Sequence, residues 1–205
     1  MARDRQSIAK MSRREGYALH PKAYKILARR TNKPGQGQGY NSRAKTSQYS
    51  LQLREKQKVK RLYGLLERQF SNLMKEATKT QGEAGQVLLQ LLERRADNAI
   101  YRAGFAPSRR GARQLVSHGH FLLNDVRVDI PSIRMKAGDV LTVRPHSTKT
   151  DYFKRLDDTS PSPSEIPSWL KADRKKLVIT VTGLPSREEA EADINEQLIV
   201  EYYSR

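Results

Sequence analysis

Glu93-Arg-Arg-Ala-Asp-Asn-Ala-Ile-Tyr-Arg-Ala-Gly-Phe-Ala-Pro-Ser-Arg-Arg-Gly-Ala-Arg-Gln-Leu-Val-Ser-His-Gly-His120 carries six arginines and two histidines in 28 residues. Leu88, Leu92, Ala96, Ala99 and Ala103 fall at helical steps along and just before its first half, so a helix is predicted over 86–104. On that helix Arg94, Asn98 and Arg102 recur at i, i+4 and i+8 beside Tyr101, a row of donors with an aromatic neighbour. Gly104 reads as a stop, Pro107 as a loop, and Ser108 as the N-cap of a shorter helix that ends at Gly119. Ala112, Leu115 and Val116 mark the buried side of this second helix. Arg109, Arg110 and Arg113 crowd its first turns, where open backbone N–H groups and the helix dipole already favour phosphate. His118 and His120 flank the glycine at its exit.

Beyond Gly119 the apolar period falls towards two. Phe121-Leu122-Leu123, a tight turn at Asn124-Asp125 and Val126-Arg127-Val128 predict a hairpin, and the turn Ala137-Gly138-Asp139 leads into a strand at Val140-Leu141-Thr142-Val143. Upstream, Val59, Leu62, Tyr63, Leu66, Phe70, Leu73, Met74 and Ala77 keep three- and four-residue steps, which predicts helix over 47–79 with Gly64 as a kink or division. The chain is therefore expected to be α+β: a basic extended arm over 1–48 with one short helix near 22–30, a helical domain over 49–90, an RNA-binding domain of two helices and an antiparallel sheet over 91–155, and a segment over 156–205 that folds back with strands. That last segment holds an irregular connection at 157–168, a strand at 177–181, an acidic helical stretch or turn at 186–195, and a final strand at 198–203.

Charge is distributed in the same blocks. The chain has 39 Lys and Arg against 22 Asp and Glu, a formal net charge of +17, which repels itself in isolation and calls for a polyanionic partner. The tail from residue 156 instead holds 6 basic and 10 acidic side chains. Arginine dominates the 93–120 block, and its planar fork suits bidentate phosphate contacts and stacking on bases. RNA is favoured over DNA because no helix shows the exposed Asn, Gln and Arg run of a major-groove reader. No stretch reaches the roughly 20 apolar residues needed to cross a bilayer, so no membrane partner is expected. The absence of cysteine excludes disulfides, thiolate zinc sites and cysteine nucleophiles. Of His20, His118, His120 and His146, only His118 and His120 form a local pair, and that pair has no third ligand of suitable type nearby. With no nucleophile elbow, phosphate loop or zinc-protease motif in the sequence, neither catalysis, metal nor cofactor is expected.

Four runs carry a resemblance. Tyr49-Ser-Leu-Gln-Leu-Arg-Glu-Lys-Gln-Lys-Val-Lys-Arg-Leu-Tyr-Gly-Leu-Leu-Glu-Arg-Gln-Phe70, Leu91-Leu-Glu-Arg-Arg-Ala-Asp-Asn98, Ala112-Arg-Gln-Leu-Val-Ser-His-Gly-His120 and Val128-Asp-Ile-Pro-Ser132, with the ending Glu201-Tyr-Tyr-Ser-Arg205, resemble bacterial small-subunit ribosomal protein four. The resemblance implies a primary binder of small-subunit ribosomal RNA that nucleates assembly by holding a multi-helix junction. It also implies contact with ribosomal protein five, an influence on translational accuracy and a position beside the mRNA path. A cytoplasmic ribosome is expected; the Arg-rich, acid-poor N-terminus leaves an organellar transit peptide as the less favoured reading. Arg94, Arg95, Asn98, Arg109, Arg113, His118 and His120 would line the RNA surface by family pattern. Charge placement adds Arg13, Arg14, Arg43, Lys45, Arg54, Lys58, Arg61, Arg68, Arg102 and Arg110. Alanine at Arg94, Arg109 and Arg113 is expected to weaken RNA binding and leave the fold intact. Two departures are visible: this chain lacks the N-terminal cysteine cluster of many relatives, and Pro34-Gly-Gln-Gly-Gln-Gly39 stands where relatives often have Pro-Gly-Gln-His-Gly. The alternatives are an RNA-modifying enzyme and a stress-related ribosome-binding factor, both of which use the domain at 93–140.

Overall fold

Helical periodicity in the first 93 residues and strand periodicity after residue 120 produce two separate units in the computed structural model, which describes residues 4, 6–30, 32–35, 47–163, 165–191 and 193–204. Residues 1–88 with 193–205 make one unit, and residues 89–192 make the other.

The first unit begins with α1 (Ile8–Glu15) and α2 (Ala23–Arg29), followed by α3 (Gln48–Leu62) and α4 (Glu67–Ala77). The described part of the arm is therefore not extended: it forms two helices where one was expected. Met11 and Ser12 of α1 are buried, and Gly16 closes that helix in the left-handed region at φ 65°. The apolar residues of α1 are too few to announce a helix by period. Its order comes from packing on α3, where Glu15 meets Arg54 and Arg61. Gly64 does divide the next pair, since its φ of 65° is the left-handed backbone that ends α3 without the strain a side chain would add. Val59, Leu62, Phe70, Met74 and Ala77 are buried, each large side chain contributing about 1.5–3 kcal/mol by leaving water.

Helix α11 (Glu196–Tyr203) closes this unit, and it corrects the strand expected at 198–203. Leu198-Ile-Val with two tyrosines looks like strand composition, but strand propensity reports little beyond fit to a neighbouring surface. Here the neighbour is a helix. Ile199 is fully buried, the Tyr202 ring lies 5.8 Å from Tyr49, and the Tyr203 ring lies 6.2 Å from Phe70. Asn195 caps the start by accepting from the Leu198 N–H, and Gln52 of α3 donates to Glu201 at 2.8 Å.

The second unit corrects the single helix predicted over 86–104. Helix α5 (Ala84–Glu93), which begins in the first unit, stops, and α6 (Ala96–Arg102) starts after an extended Arg95. That break is stabilised by backbone pairing with the segment at 131–135: Met135 N–H donates to Arg94 O at 2.7 Å and Ala96 N–H to Ile133 O at 2.8 Å. Helix α7 (Arg109–Ser117) begins where predicted, with Ser108 Oγ accepting from Gly111 N–H. Next come β1 (Phe121–Leu123), β2 (Val126–Val128) and β3 (Val140–Val143). Asn124 and Asp125 both adopt positive φ, 47° and 67°, the pattern of the primed turn that suits a two-residue hairpin. Three one-turn helices follow, α8 (Pro145–Thr148), α9 (Asp151–Lys154) and α10 (Leu156–Thr159); after them come β4 (Leu170–Asp173) and β5 (Val178–Val181). The sheet is wholly antiparallel in the order β2-β1-β3-β5-β4, with Phe121 opposite Val128 and Val143, and Leu141 opposite Ile179. Sequence reading missed β4, whose Leu170-Lys-Ala-Asp is short and weakly alternating. Phe105, Phe121, Met135, Leu141, Trp169, Ile179 and Val181 share one buried core with Ala96, Ala99, Ile100 and Ala103 at α6 and Ala112 and Val116 of α7. The architecture is α+β.

Candidate nucleic-acid interface

The break between α5 and α6 decides where the arginines of the quoted block point. In one continuous helix positions 93 and 102 would lie on opposite sides, nine residues being two and a half turns. Instead Arg102 grips the Glu93 carboxylate with two donors, Nε at 3.0 Å and Nη2 at 2.9 Å. Asn98, fully buried, fills the gap: its Nδ2 donates to the Glu93 carbonyl at 3.0 Å and to Glu93 Oε2 at 2.7 Å. The Asn98 Oδ1 in turn accepts from Arg109 Nε at 2.8 Å. Arg109 Nη2 donates to Glu191 at 2.8 Å, and its guanidinium lies 4.6 Å from the Tyr101 ring centre. The donor row expected from Arg94, Asn98 and Arg102 is thus not a single exposed face.

A second knot adjoins it in sequence. Asp97, itself buried, accepts from Arg95 Nε at 3.0 Å and Nη2 at 2.9 Å, and from Arg113 Nε at 3.1 Å. Burial lowers the pKa of Arg113, with the Asp97 charge acting against that shift and Arg95 reinforcing it. Arg94 donates through Nε to Met135 O at 2.9 Å. Arg110 is exposed, as is His118. Alanine at Arg109 or Arg113 would take a donor from a buried or half-buried carboxylate or amide partner, a cost to the fold as well as to binding.

At the exit of α7, the His118 and His120 rings stand 6.0 Å apart, and His120 Nδ1 lies 3.0 Å from Ser147 Oγ. Burial lowers the pKa of His120, helped by the neighbouring charges of His118 and Arg144. Two further cations gather there that sequence reading did not single out. Arg144 donates to Gly119 O at 3.1 Å, and the Arg127 guanidinium lies so close over Gly119 that a Cβ would sit 2.7 Å from its Nε. Hairpin register supplies this proximity, and a one-dimensional charge count does not display it.

In the first unit Arg54, at 3.2 Å, and Arg61 both pair with Glu15. Burial raises the pKa of that glutamate, while the charges of Arg54, Arg61 and Arg14 pull it down. Lys58 lies 2.8 Å from Glu55 and donates to Asp193 O at 2.6 Å. Arg13 donates to Asn32 O at 2.9 Å, and Arg14 and Arg68 are exposed. Arg43 and Lys45 lie outside the described residues, as does most of the run at 35–39. Among the described residues no group of three or more His, Asp or Glu could hold a metal ion, and no helix is long and apolar enough to cross a membrane.

A strongly basic α+β chain, with a helical unit and a second unit whose arginines are fixed by buried carboxylates next to an antiparallel sheet, has the make-up of a polyanion-binding protein. Comparison with known proteins narrows the class. Residues 3–93 match the Ribosomal protein S4/S9 N-terminal domain, and residues 94–141 match the S4 domain. Small ribosomal subunit protein uS4 of Chlorobium phaeovibrioides is 50% identical over 205 residues, all of both chains. The uS4 proteins of Chloroflexus aurantiacus, 48% identical over 206 residues, and Herpetosiphon aurantiacus, 50% identical over 214, are likewise covered in full. The chain belongs to the uS4 family of small ribosomal subunit proteins.

Proposed function

We propose that this chain is a primary binder of small-subunit ribosomal RNA that holds converging RNA helices together and so nucleates assembly of the subunit. The observation that carries this reading is the arginine network of α6 and α7: Arg95, Arg102, Arg109 and Arg113 are each locked by a buried acid or amide. A guanidinium fixed at one edge loses little further freedom when it meets a phosphate, so affinity comes with less ordering cost. In the second unit the exposed Arg110 and His118 add to this positive charge, with Asn98 acting as an internal support; in the first unit Arg14 and Arg68 are exposed cations of their own. Arg43, Lys45, Arg54, Lys58 and Arg61 belong to the RNA-facing set by charge. Neutralising phosphates releases condensed counterions and relieves the repulsion between RNA helices brought close together.

Family membership supports the finer features of the same reading: contact with ribosomal protein five, a position near the mRNA path into the subunit, a contribution to translational accuracy, and residence on cytoplasmic ribosomes. The test uses Arg110→Ala, because its side chain is exposed and its loss leaves the packed network intact. Binding of the full chain to small-subunit ribosomal RNA is measured across salt concentrations. The variant is expected to bind more weakly, with a slope of log affinity against log salt shallower by about 0.7–0.9. An unchanged affinity and slope would remove α7 from the RNA surface. In cells the protein should remain stoichiometric with small subunits through a high-salt wash, whereas stripping by the wash would favour a peripheral stress-related factor.

A further inference from the structure

Glu191 is the odd member of the arginine network. Glu93 and Asp97 lie on or beside the helices that carry the arginines and are buried, with side chains 1% and 6% exposed. Glu191 arrives from the acidic segment between β5 and α11, and its side chain is 23% exposed. Its Oε1 lies 2.8 Å from Arg109 Nη2 and 3.6 Å from Arg102 Nη2. Those two guanidiniums are oriented from behind by other groups, Arg102 by the Glu93 carboxylate and Arg109 by Asn98 Oδ1 and the Tyr101 ring. Glu191 is therefore not what orients them. It sits as an anionic oxygen at the point where two pre-oriented forks converge.

We propose that the Arg102–Arg109 convergence is a phosphate site of the RNA surface, and that Glu191 occupies it in the free protein as an internal phosphate stand-in that the ligand's phosphate must displace. The inference rests on the RNA-binding reading above and adds a regulation to it. Glu191 Oε1 reaches Arg109 closely but Arg102 only at 3.6 Å, whereas the two non-bridging oxygens of a phosphodiester can meet one donor each. The resident carboxylate lowers affinity for any single, badly placed phosphate. It also replaces the mobile counterion that would otherwise be released there, which flattens the salt dependence of binding. A ribosomal RNA that docks many phosphates at once overcomes this penalty, whereas an isolated anion does not.

Glu191→Gln removes the charge and keeps the shape. Inorganic phosphate is titrated into the full chain while the side-chain Nε–H resonances of Arg102 and Arg109 are followed. The variant is expected to bind phosphate at these two arginines about two- to five-fold more tightly than the wild type, the scale of one partly exposed ion pair. It should also bind small-subunit ribosomal RNA more tightly at low salt, with a slope steeper by about 0.7–0.9. Glu188→Gln, a charge loss at an exposed neighbour, should do neither. Phosphate binding that is unchanged or weaker in Glu191→Gln, or an equal gain in Glu188→Gln, overturns the proposal. If phosphate binds more tightly at Arg102 and Arg109 but neither chain binds the RNA, the phosphate site stands and the RNA reading falls.

Discussion

Two carboxylates, one in each unit, gather several cations, and they do so with different chemistry. Glu67, at the start of α4, receives Lys56 at 2.6 Å, Lys60 at 2.9 Å and the Tyr203 hydroxyl at 2.9 Å, so three helices meet at one acid. Asp97, in the first turn of α6, receives two donors of Arg95 and one of Arg113. The lysine head is a point charge, and Lys56 is used up where it lies: buried, against Glu67, and 4.4 Å from the centre of the Tyr202 ring. A guanidinium is a plane with five donors, and gripping it at one edge sets the direction of the rest. The same charge pairing thus fastens helices in the first unit and aims a surface in the second. A count of basic residues cannot separate these two uses.

The sharpest way to break this comparison is Asp97→Ala. If the acid truly balances Arg95 and Arg113, its loss leaves uncompensated, largely buried charge and should cost about 3–5 kcal/mol of unfolding free energy. Trp169, the chain's one tryptophan and buried in the second unit, reports that transition by fluorescence in urea; a loss under about 1 kcal/mol would mean the knot is incidental.

In the first unit the dominant contribution should be apolar. Ile199→Ala empties a fully buried site on α11 and should cost about 2–5 kcal/mol, read as faster amide exchange along α3 and α11 with Trp169 fluorescence unaltered. Equal disturbance of both probes would show that the two units do not respond separately.

The smallest effect concerns acid. Burial alone would raise the Glu67 pKa, but hydrogen bonds from Lys56, Lys60 and Tyr203 bring it down to about 2. A carboxylate held below its unfolded value stabilises the fold at pH above about 4.5, and that contribution disappears as pH falls towards 2. The side chain is 48% exposed, so solvent screening limits the effect to under about 1 kcal/mol. Glu67→Gln should therefore lose less stability than the wild type between pH 4.5 and 2, measured by amide exchange of α11; identical pH profiles would show that Lys56 and Lys60 gain nothing from this acid.

What the sequence reveals here is mostly what is local. The three- and four-residue steps from Val59 to Ala77 mark α3 and α4, Gly64 marks their division, Ser108 and Gly119 bracket α7, and Asn124-Asp125 marks the hairpin. Each of these signals is complete within a few residues. The misses are non-local. Helix α11 needs the face of α3, α1 needs Arg54 and Arg61 for its Glu15, and the break at Arg94-Arg95 needs backbone partners from 131–135. The candidate site divides in the same way: its arginines are visible as a dense block, whereas the acids that orient them are ordinary members of a charge count until the break brings position 93 against position 102. Glu191 is 82 residues from Arg109 in sequence, beyond the reach of any local pattern.

The interrupted first unit has a consequence for how the molecule is made. Residues 193–204 emerge from synthesis only after the whole of 89–192, yet α11 packs on α3 and α4, with Tyr202 beside Tyr49, Tyr203 beside Phe70 and Ile199 fully buried. The second unit can close while translation continues, since its chain is continuous. The first must wait with an apolar face uncovered until the final helix arrives. A product cut short before residue 193 would carry a finished second unit beside an unsealed first one, a difference that chaperones and proteases are able to read.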